Sequence, residues 1–170
     1  LDYNRKLADG PVERQKVDIA ELAQTVVSAH SLPARAKMMS TELALDERFC
    51  LAEPTLLTSV LDNLYSNAVH YGAESGNIRI HSYRHGEQVR IDVANSGEPI
   101  PAAERNMIFE PFYQGSHLRK GAVKGSGLGL SIARDCVRQM QGELSLVDDN
   151  PGFICFRISL PAAEPGKTNT

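Results

Sequence analysis

Long apolar runs are absent from this chain. No stretch of its 170 residues approaches the roughly 20 apolar residues that span a bilayer, and no secretory signal opens it. A surplus of positive charge is absent too. With 18 Lys and Arg against 21 Asp and Glu, the formal net charge is −3, and nothing points to a nucleic-acid-binding surface. The only basic cluster, Arg119, Lys120 and Lys124, is local. Cysteine is scarce. Cys50, Cys136 and Cys155 are odd in number and lack metal-ligand spacing, which reads as buried, reduced thiols of a cytosolic protein. No internal repeat is present, which excludes a repeat architecture. The chain lacks an initiator Met and opens mid-pattern at LDYNRKLADG, which predicts a piece of something longer.

What is present is ordinary: 42% hydrophobic and 23% charged residues, enough for one real core and too few residues for two full-sized domains. Residues 1–10 read as the tail of a helix, broken at Gly10-Pro11. Asp18 is placed to cap a helix through about Lys37, with Ile19, Leu22, Ala23, Val26 and Val27 on one face. Two short extended pieces follow, near 40–45 and 48–52. Pro54 suits the first turn of a further helix and Gly72 its stop. Strands are predicted at Asn77–Arg84 and Gln88–Ala94 around a hairpin turn at His85-Gly86-Glu87, then near 143–148 and 153–160. A helix is predicted from about Gly127 to Gln141. Residues 95–126 show little periodicity and are too long for a bare connector, so they read as a functional loop or lid. PAAEPGKTNT reads as a disordered tail. The sum is an α/β chain, an α+β two-layer sandwich of helices stacked on a mostly antiparallel sheet.

Three segments carry chemistry. In VLDNLYSNAVHYG, residues 60–72, the apolar positions Leu57, Val60, Leu61, Leu64 and Ala68 mark a buried helix face, and Asn63, Asn67 and His70 form a stripe beside it. Taken alone, that stripe reads more readily as a solvated flank than as a pocket wall. In KGSGLGLSIA, residues 124–133, Gly125, Gly127 and Gly129 precede a helix start. Close backbone approach and free N–H groups there suit phosphate, although such loops also occur merely as tight turns. No G-x-x-x-x-G-K-[ST] Walker loop occurs, and the glycine spacing is not the dinucleotide fingerprint. In VANSGEPIP, residues 93–101, Asn95 and Gly97 follow a strand end. They offer an amide and close backbone approach to a planar base, or an ordinary turn. FEPFYQG, residues 109–115, reads as a loop anchor or a satellite apolar cluster.

In this order the segments resemble the ATP-binding catalytic domain of bacterial sensor histidine kinases, within the gyrase, chaperone, kinase and mismatch-repair ATPase superfamily (GHKL). DNLYSNAVHYG is similar to its N box, VANSGEPIP to its first glycine box, FEPFY to its F box and GSGLGL to its second glycine box. The resemblance implies a Bergerat fold: a mixed, mostly antiparallel sheet covered on one face by about three helices, with a flexible ATP lid at roughly residues 107–126. It implies three regions: 1–14 as the end of a dimerisation and phosphoacceptor helix with its linker, 15–160 as the catalytic domain, and 161–170 as a tail.

By resemblance, the cofactors are ATP and Mg²⁺, with the carbonyl oxygen of Asn67 as metal ligand and Asn63 supporting the ion and phosphates through water. His70 stands where the family often has a phosphate-facing Lys, Arg or His, and Tyr71 would stack on adenine beside Asn95, Gly97, Ile100 and Phe109. Phosphates would rest on the backbone amides around Gly127, Leu128, Gly129 and Leu130, with Gly125 and Ser126 also at the cofactor and Arg119, Lys120 and Lys124 folding over the phosphates. Hydrolysing relatives carry a glutamate base where this chain has Asn63, an amide that accepts no proton at neutral pH, so the site resembles a kinase more than an ATPase. No catalytic side chain is identified in the fragment. Two departures stand out: Asn95 replaces the family's adenine-reading aspartate, and Pro99 replaces a flexible glycine.

None of His30, His70, His81, His85 or His117 has the acceptor context, so the acceptor histidine is expected upstream. The implied partners are the chain's own dimerisation and phosphoacceptor domain and a response regulator. The full-length chain is expected to be a membrane-anchored homodimer on the cytoplasmic side of the bacterial inner membrane. A GHKL ATPase, a non-catalytic nucleotide-binding module and a sigma-factor-controlling serine kinase are the alternatives.

Overall fold

In the computed structural model, the described residues are 12–111, 113, 129–147 and 151–163. Their elements run β1 (Gln15–Asp18), α1 (Ile19–Ala29), α2 (Ser31–Ala36), β2 (Ser40–Leu45), β3 (Phe49–Ala52), α3 (Pro54–Tyr71), β4 (Asn77–His85) and β5 (Gln88–Ser96). A 3₁₀ turn at Ala102–Glu104, α4 (Gly129–Gln139), β6 (Glu143–Val147) and β7 (Phe153–Pro161) complete them. One five-stranded sheet has the order β2-β4-β5-β7-β6, and β1 pairs with β3 in a separate ribbon. Among the described strands of this sheet, the β2–β4 pair is parallel and the other pairs are antiparallel. The sheet is therefore mixed and mostly antiparallel, as expected.

Period-two alternation decides which face is covered. Ile80, Val93 and Phe156 lie opposite one another on three neighbouring strands, as do Ser82, Ile91 and Ile158, and all are buried. On this face α3 packs against β5 and α4, and α1 against α3. Buried Ser82 is satisfied, its hydroxyl donating to the Glu47 carbonyl at 2.6 Å. The opposite face is polar. Arg157 donates through Nε and Nη2 to both oxygens of Asp92 at 2.9 and 3.1 Å, and the Tyr83 hydroxyl donates to the same carboxylate at 3.0 Å. That pairing raises the Arg157 pKa further above its ordinary value.

Strand β5 runs on to Ser96, so Asn95 lies within it and not after its end, and two larger differences from the sequence expectation concern the N-terminal elements. The first helix does not run unbroken to Lys37; it divides at His30. A proline in the middle of one long helix would lose an N–H bond and clash with the preceding turn. Starting a second helix at Ser31 puts Pro33 in a first turn, where neither cost applies. Strand β1 was not expected at all. Asp18 does cap α1, accepting from Ala20 N at 3.0 Å and Glu21 N at 3.4 Å. Its carboxylate is also gripped by Arg48 at 2.9 Å through two nitrogens, which holds its pKa below the usual carboxylate value.

Candidate nucleotide site

Helix α3 supplies one wall of the site. Pro54 opens it, Glu53 caps it by accepting from Leu56 N at 2.9 Å, and Leu57, Val60, Leu61, Leu64 and Ala68 bury its apolar face. Burying each leucine stabilises this seat by roughly 1.5–3 kcal/mol. With that face fixed, Asn67 and Tyr71 stand at its margin and line a cavity of about 570 Å³, mouth included. The other walls are Val93 and Asn95 of β5, Ile100, Ile108 and Tyr113, Leu130 of α4, and Ile154 and Phe156 of β7. The lining is apolar apart from two amides and two phenols, the composition of a slot for a flat ring with a few polar points. Burial pushes the Tyr71 phenol above its ordinary pKa, so it stays protonated at neutral pH.

Asn95 is the buried polar group of the slot, 6% exposed. Its Nδ2 donates to the Ser96 carbonyl at 2.9 Å. That bond leaves the Oδ1 acceptor and the second Nδ2 hydrogen to a ligand. Asn67 is half-buried, and its amide has no protein hydrogen-bond partner among the described residues. An amide oxygen is a hard donor of the kind Mg²⁺ takes, since that ion keeps most of its waters and needs few protein oxygens, so Asn67 at the pocket wall fits such an ion. No cluster of three His, Cys, Asp or Glu side chains able to hold a metal occurs among the described residues.

Asn67, Tyr71, Asn95, Ile100 and Leu130 thus meet in one cavity although they lie far apart in sequence. Gly97 sits just behind it: a Cβ there would be 3.4 Å from Asn95 Nδ2 and 3.7 Å from Ile154. Asn63, one turn before Asn67, faces the start of α4 instead. A Cβ on Gly129 would come within 2.6 Å of its Oδ1, so only a glycine lets the two helices meet this closely. His70 lies outside the cavity, in a neighbouring groove with His30, Pro33, Lys37 and Ser66, its ring edge-on to Tyr71 at 4.4 Å. Phe109 is likewise outside. It sits between Phe156, edge-on at 6.1 Å, and the Arg134 guanidinium, 4.6 Å from its ring. Lys124, Gly125, Ser126, Gly127 and Leu128, together with Arg119 and Lys120, lie outside the described residues.

Sequence reasoning missed Ile108, Tyr113, Ile154 and Phe156 as wall residues. Ile154 and Phe156 carried a usable signal, because they share the buried parity of β7 with positions opposite Asn95 and Val93. Asp62 points away from the cavity, to His30 Nε2 at 2.7 Å.

An apolar slot closed by two asparagine amides beside a glycine-started helix defines a nucleotide-binding domain of the layered α+β class. Residues 52–164 match the family described as histidine kinase-, DNA gyrase B-, and HSP90-like ATPase, and the chain belongs to that family. It is 69% identical over 167 residues to the sensor histidine kinase GlrK of Escherichia coli, covering 98% of this chain and 35% of GlrK. The chain therefore spans about a third of that relative's length. The solved catalytic domain of the histidine kinase ThkA matches at TM-score 0.78 and 28% identity, covering 89% of this chain and 97% of that domain. Full-length ShkA, solved in complex with AMPPNP, matches at TM-score 0.79 and 26% identity, covering 96% of this chain and 35% of that one. These relatives place the chain among ATP-binding catalytic domains of sensor histidine kinases.

Proposed function

We propose that this domain binds Mg-ATP in the cavity between α3, β5 and α4 and presents its γ-phosphoryl group to a histidine on a separate domain. The observation that carries the reading is the meeting of Asn67 and Asn95 on one otherwise apolar slot. Adenine fits against Tyr71 and Ile100, with its amino group donating to Asn95 Oδ1. Mg²⁺, when bound, offsets phosphate charge, and the Asn67 oxygen is the protein group that would hold it. Gly129 and Leu130 offer N–H groups of the α4 start to phosphate oxygens. The basic residues of the preceding segment supply charge.

Transfer is favoured over hydrolysis by what stands near the phosphates. Asn63 cannot take a proton from water, and the adjacent carboxylate, Asp62, is turned away to His30. Catalysis then rests on positioning and charge neutralisation, as phosphoryl transfer generally does. Within the whole protein, residues 1–14 would lead back to a dimerisation and phosphoacceptor domain, and the phosphoryl group would pass to a response regulator. That whole protein would be a membrane-anchored homodimer with this domain on the cytoplasmic side.

Titration calorimetry with AMPPNP, with and without Mg²⁺, tests the binding. Labelled ATP with a supplied acceptor domain tests the transfer. Phosphate release without acceptor labelling would favour an ATPase, and binding without either would favour a regulatory module.

A further inference from the structure

The turn between α2 and β2 is fastened onto the end of α3. Lys37 Nζ donates to three carbonyls, those of Val69 at 2.8 Å, His70 at 2.9 Å and Gly72 at 2.8 Å. The Lys37 carbonyl accepts from Ser75 N at 2.8 Å, and Ser40 N donates to the Gly76 carbonyl at 3.1 Å. Between these ties Met38 holds a φ of +55°, a left-handed conformation that a non-glycine residue keeps only where its surroundings compel it. Buried Met39 places its Cε 2.6 Å from where a Cβ on Gly72 would sit.

A helix leaves its last four carbonyls without intrahelical partners, and a left-handed glycine commonly turns the chain back to satisfy them. Helix α3 does not use that device, because Gly72 has φ −73° and ψ 164°. The Lys37 ammonium takes the place of such a cap, with the sign of charge that suits the negative end of the helix dipole. Burial among these carbonyls pulls the Lys37 pKa below its ordinary value, against an opposing pull from Glu74. The clamp stands behind two pocket residues. Tyr71 lies between the bound carbonyls of His70 and Gly72, and a Cβ on Gly72 would come within 3.3 Å of Asn95 Nδ2.

We propose that Lys37 is a positioning residue of the nucleotide site: it fastens the last turn of α3 so that Tyr71 forms the pocket wall and Gly72 backs the Asn95 amide, turning that oxygen toward the base. The proposal rests on the adenine reading of the pocket given above. Lys37 does not itself line that cavity.

The test compares the 170-residue chain with its Lys37→Met and Lys37→Gln variants. Dissociation constants are measured for AMPPNP and GMPPNP with Mg²⁺, beside melting by circular dichroism. Lys37→Met is expected to weaken AMPPNP by about five- to tenfold while GMPPNP changes little, so the adenine preference narrows by the same factor. Lys37→Gln, which keeps donors without the charge, is expected to fall between the two. A lysine that merely stabilises the fold would lower the melting temperature and leave the ratio of the two constants at its wild-type value, which overturns the proposal. If Lys37→Met does not fold, the ratio in Lys37→Gln is read by the same criterion. A wild-type chain that binds neither nucleotide, or both equally, overturns the adenine reading and this proposal with it.

Discussion

At the residue scale, two asparagines with different surroundings call for different experiments. Asn67 is half-buried and makes no side-chain bond to described protein groups, so the fold has little to lose there. Asn67→Ala is expected to abolish Mg²⁺-dependent AMPPNP binding while the melting curve stays within the small shifts typical of surface changes, roughly 0.5 kcal/mol or less. Calorimetry on the folded variant checks this, and near-normal Mg²⁺-dependent affinity would remove Asn67 from the metal site.

Asn95 donates to the Ser96 carbonyl and lines the pocket. Asn95→Asp gains charge toward the adenine amino group, since bonds to charged groups contribute about 1.5–3 kcal/mol against roughly 1 for neutral ones. The same change sets a carboxylate oxygen against the Ser96 carbonyl. The free protein is therefore expected to melt at a lower temperature, while the preference for ATP over GTP widens by up to about tenfold. An unchanged preference would make Asn95 a turn residue only.

At the element scale, what could be read from sequence followed the strength of each periodic signal. Helix α3 announced itself through five apolar positions and a first-turn proline, and the β4–β5 hairpin through alternation around Gly86. Strand β1 offered nothing comparable, because Gln15, Lys16, Val17 and Asp18 bury only Val17 and hold their place through backbone pairing with β3. Gly72 was expected as a helix stop and is one, but for a steric reason. Its φ of −73° is open to any residue, whereas a Cβ would meet the Ala68 carbonyl at 2.5 Å and Met39 Cε at 2.6 Å. Gly72→Ala is thus expected to destabilise the chain by about 1–3 kcal/mol through overpacking. Urea unfolding should show a lower midpoint at an unchanged slope. A stabilised Gly72→Ala chain would mean that the end of α3 yields easily.

At the scale of the whole molecule, long-range contacts are what the sequence conceals. The apolar wall from β7 and the Lys37 clamp join residues whose spacing carries no local signal, while the four boxes stay recognisable because each is a short, contiguous segment. No helix among the described residues is long and apolar enough to cross a membrane. The thiols offer a probe of how far the fold closes. Cys50 is fully buried and its pKa is pushed up to about 12, largely by burial, whereas Cys155 is half-exposed at the sheet. Since the thiolate is the reactive form, Cys155 should react first with Ellman's reagent at neutral pH, and Cys50 only at the rate of global unfolding. Mapping the modified peptides over time checks the order, and early labelling of Cys50 would show that the core around β3 opens locally.

The same whole-molecule geometry decides whether the chain can label itself. An acceptor imidazole must reach the γ-phosphate in line with the bond being broken. His30 is engaged with Asp62 at 2.7 Å, on a different flank of α3 from the cavity. His81 faces Asp46 at 3.1 Å on the polar side of the sheet, and His85 ends β4 at the hairpin. His70 is the nearest to the site, yet it rides on the same helix as Asn67 and lies outside the cavity, its ring edge-on to Tyr71. On the proposed role of Asn67 in holding Mg²⁺, a side chain one turn from that amide could not swing to the far side of the phosphate. His117 lies outside the described residues and is bounded by sequence alone, which gives it no acceptor context. The 170-residue chain is therefore expected to bind labelled ATP without retaining label after denaturation, and to phosphorylate a phosphoacceptor domain supplied in trans. Acid lability and alkali stability identify a phosphohistidine. A stoichiometric product of that kind on the chain alone, lost in His70→Ala or in a His117 substitution, would place the acceptor within this domain and overturn the two-domain reading.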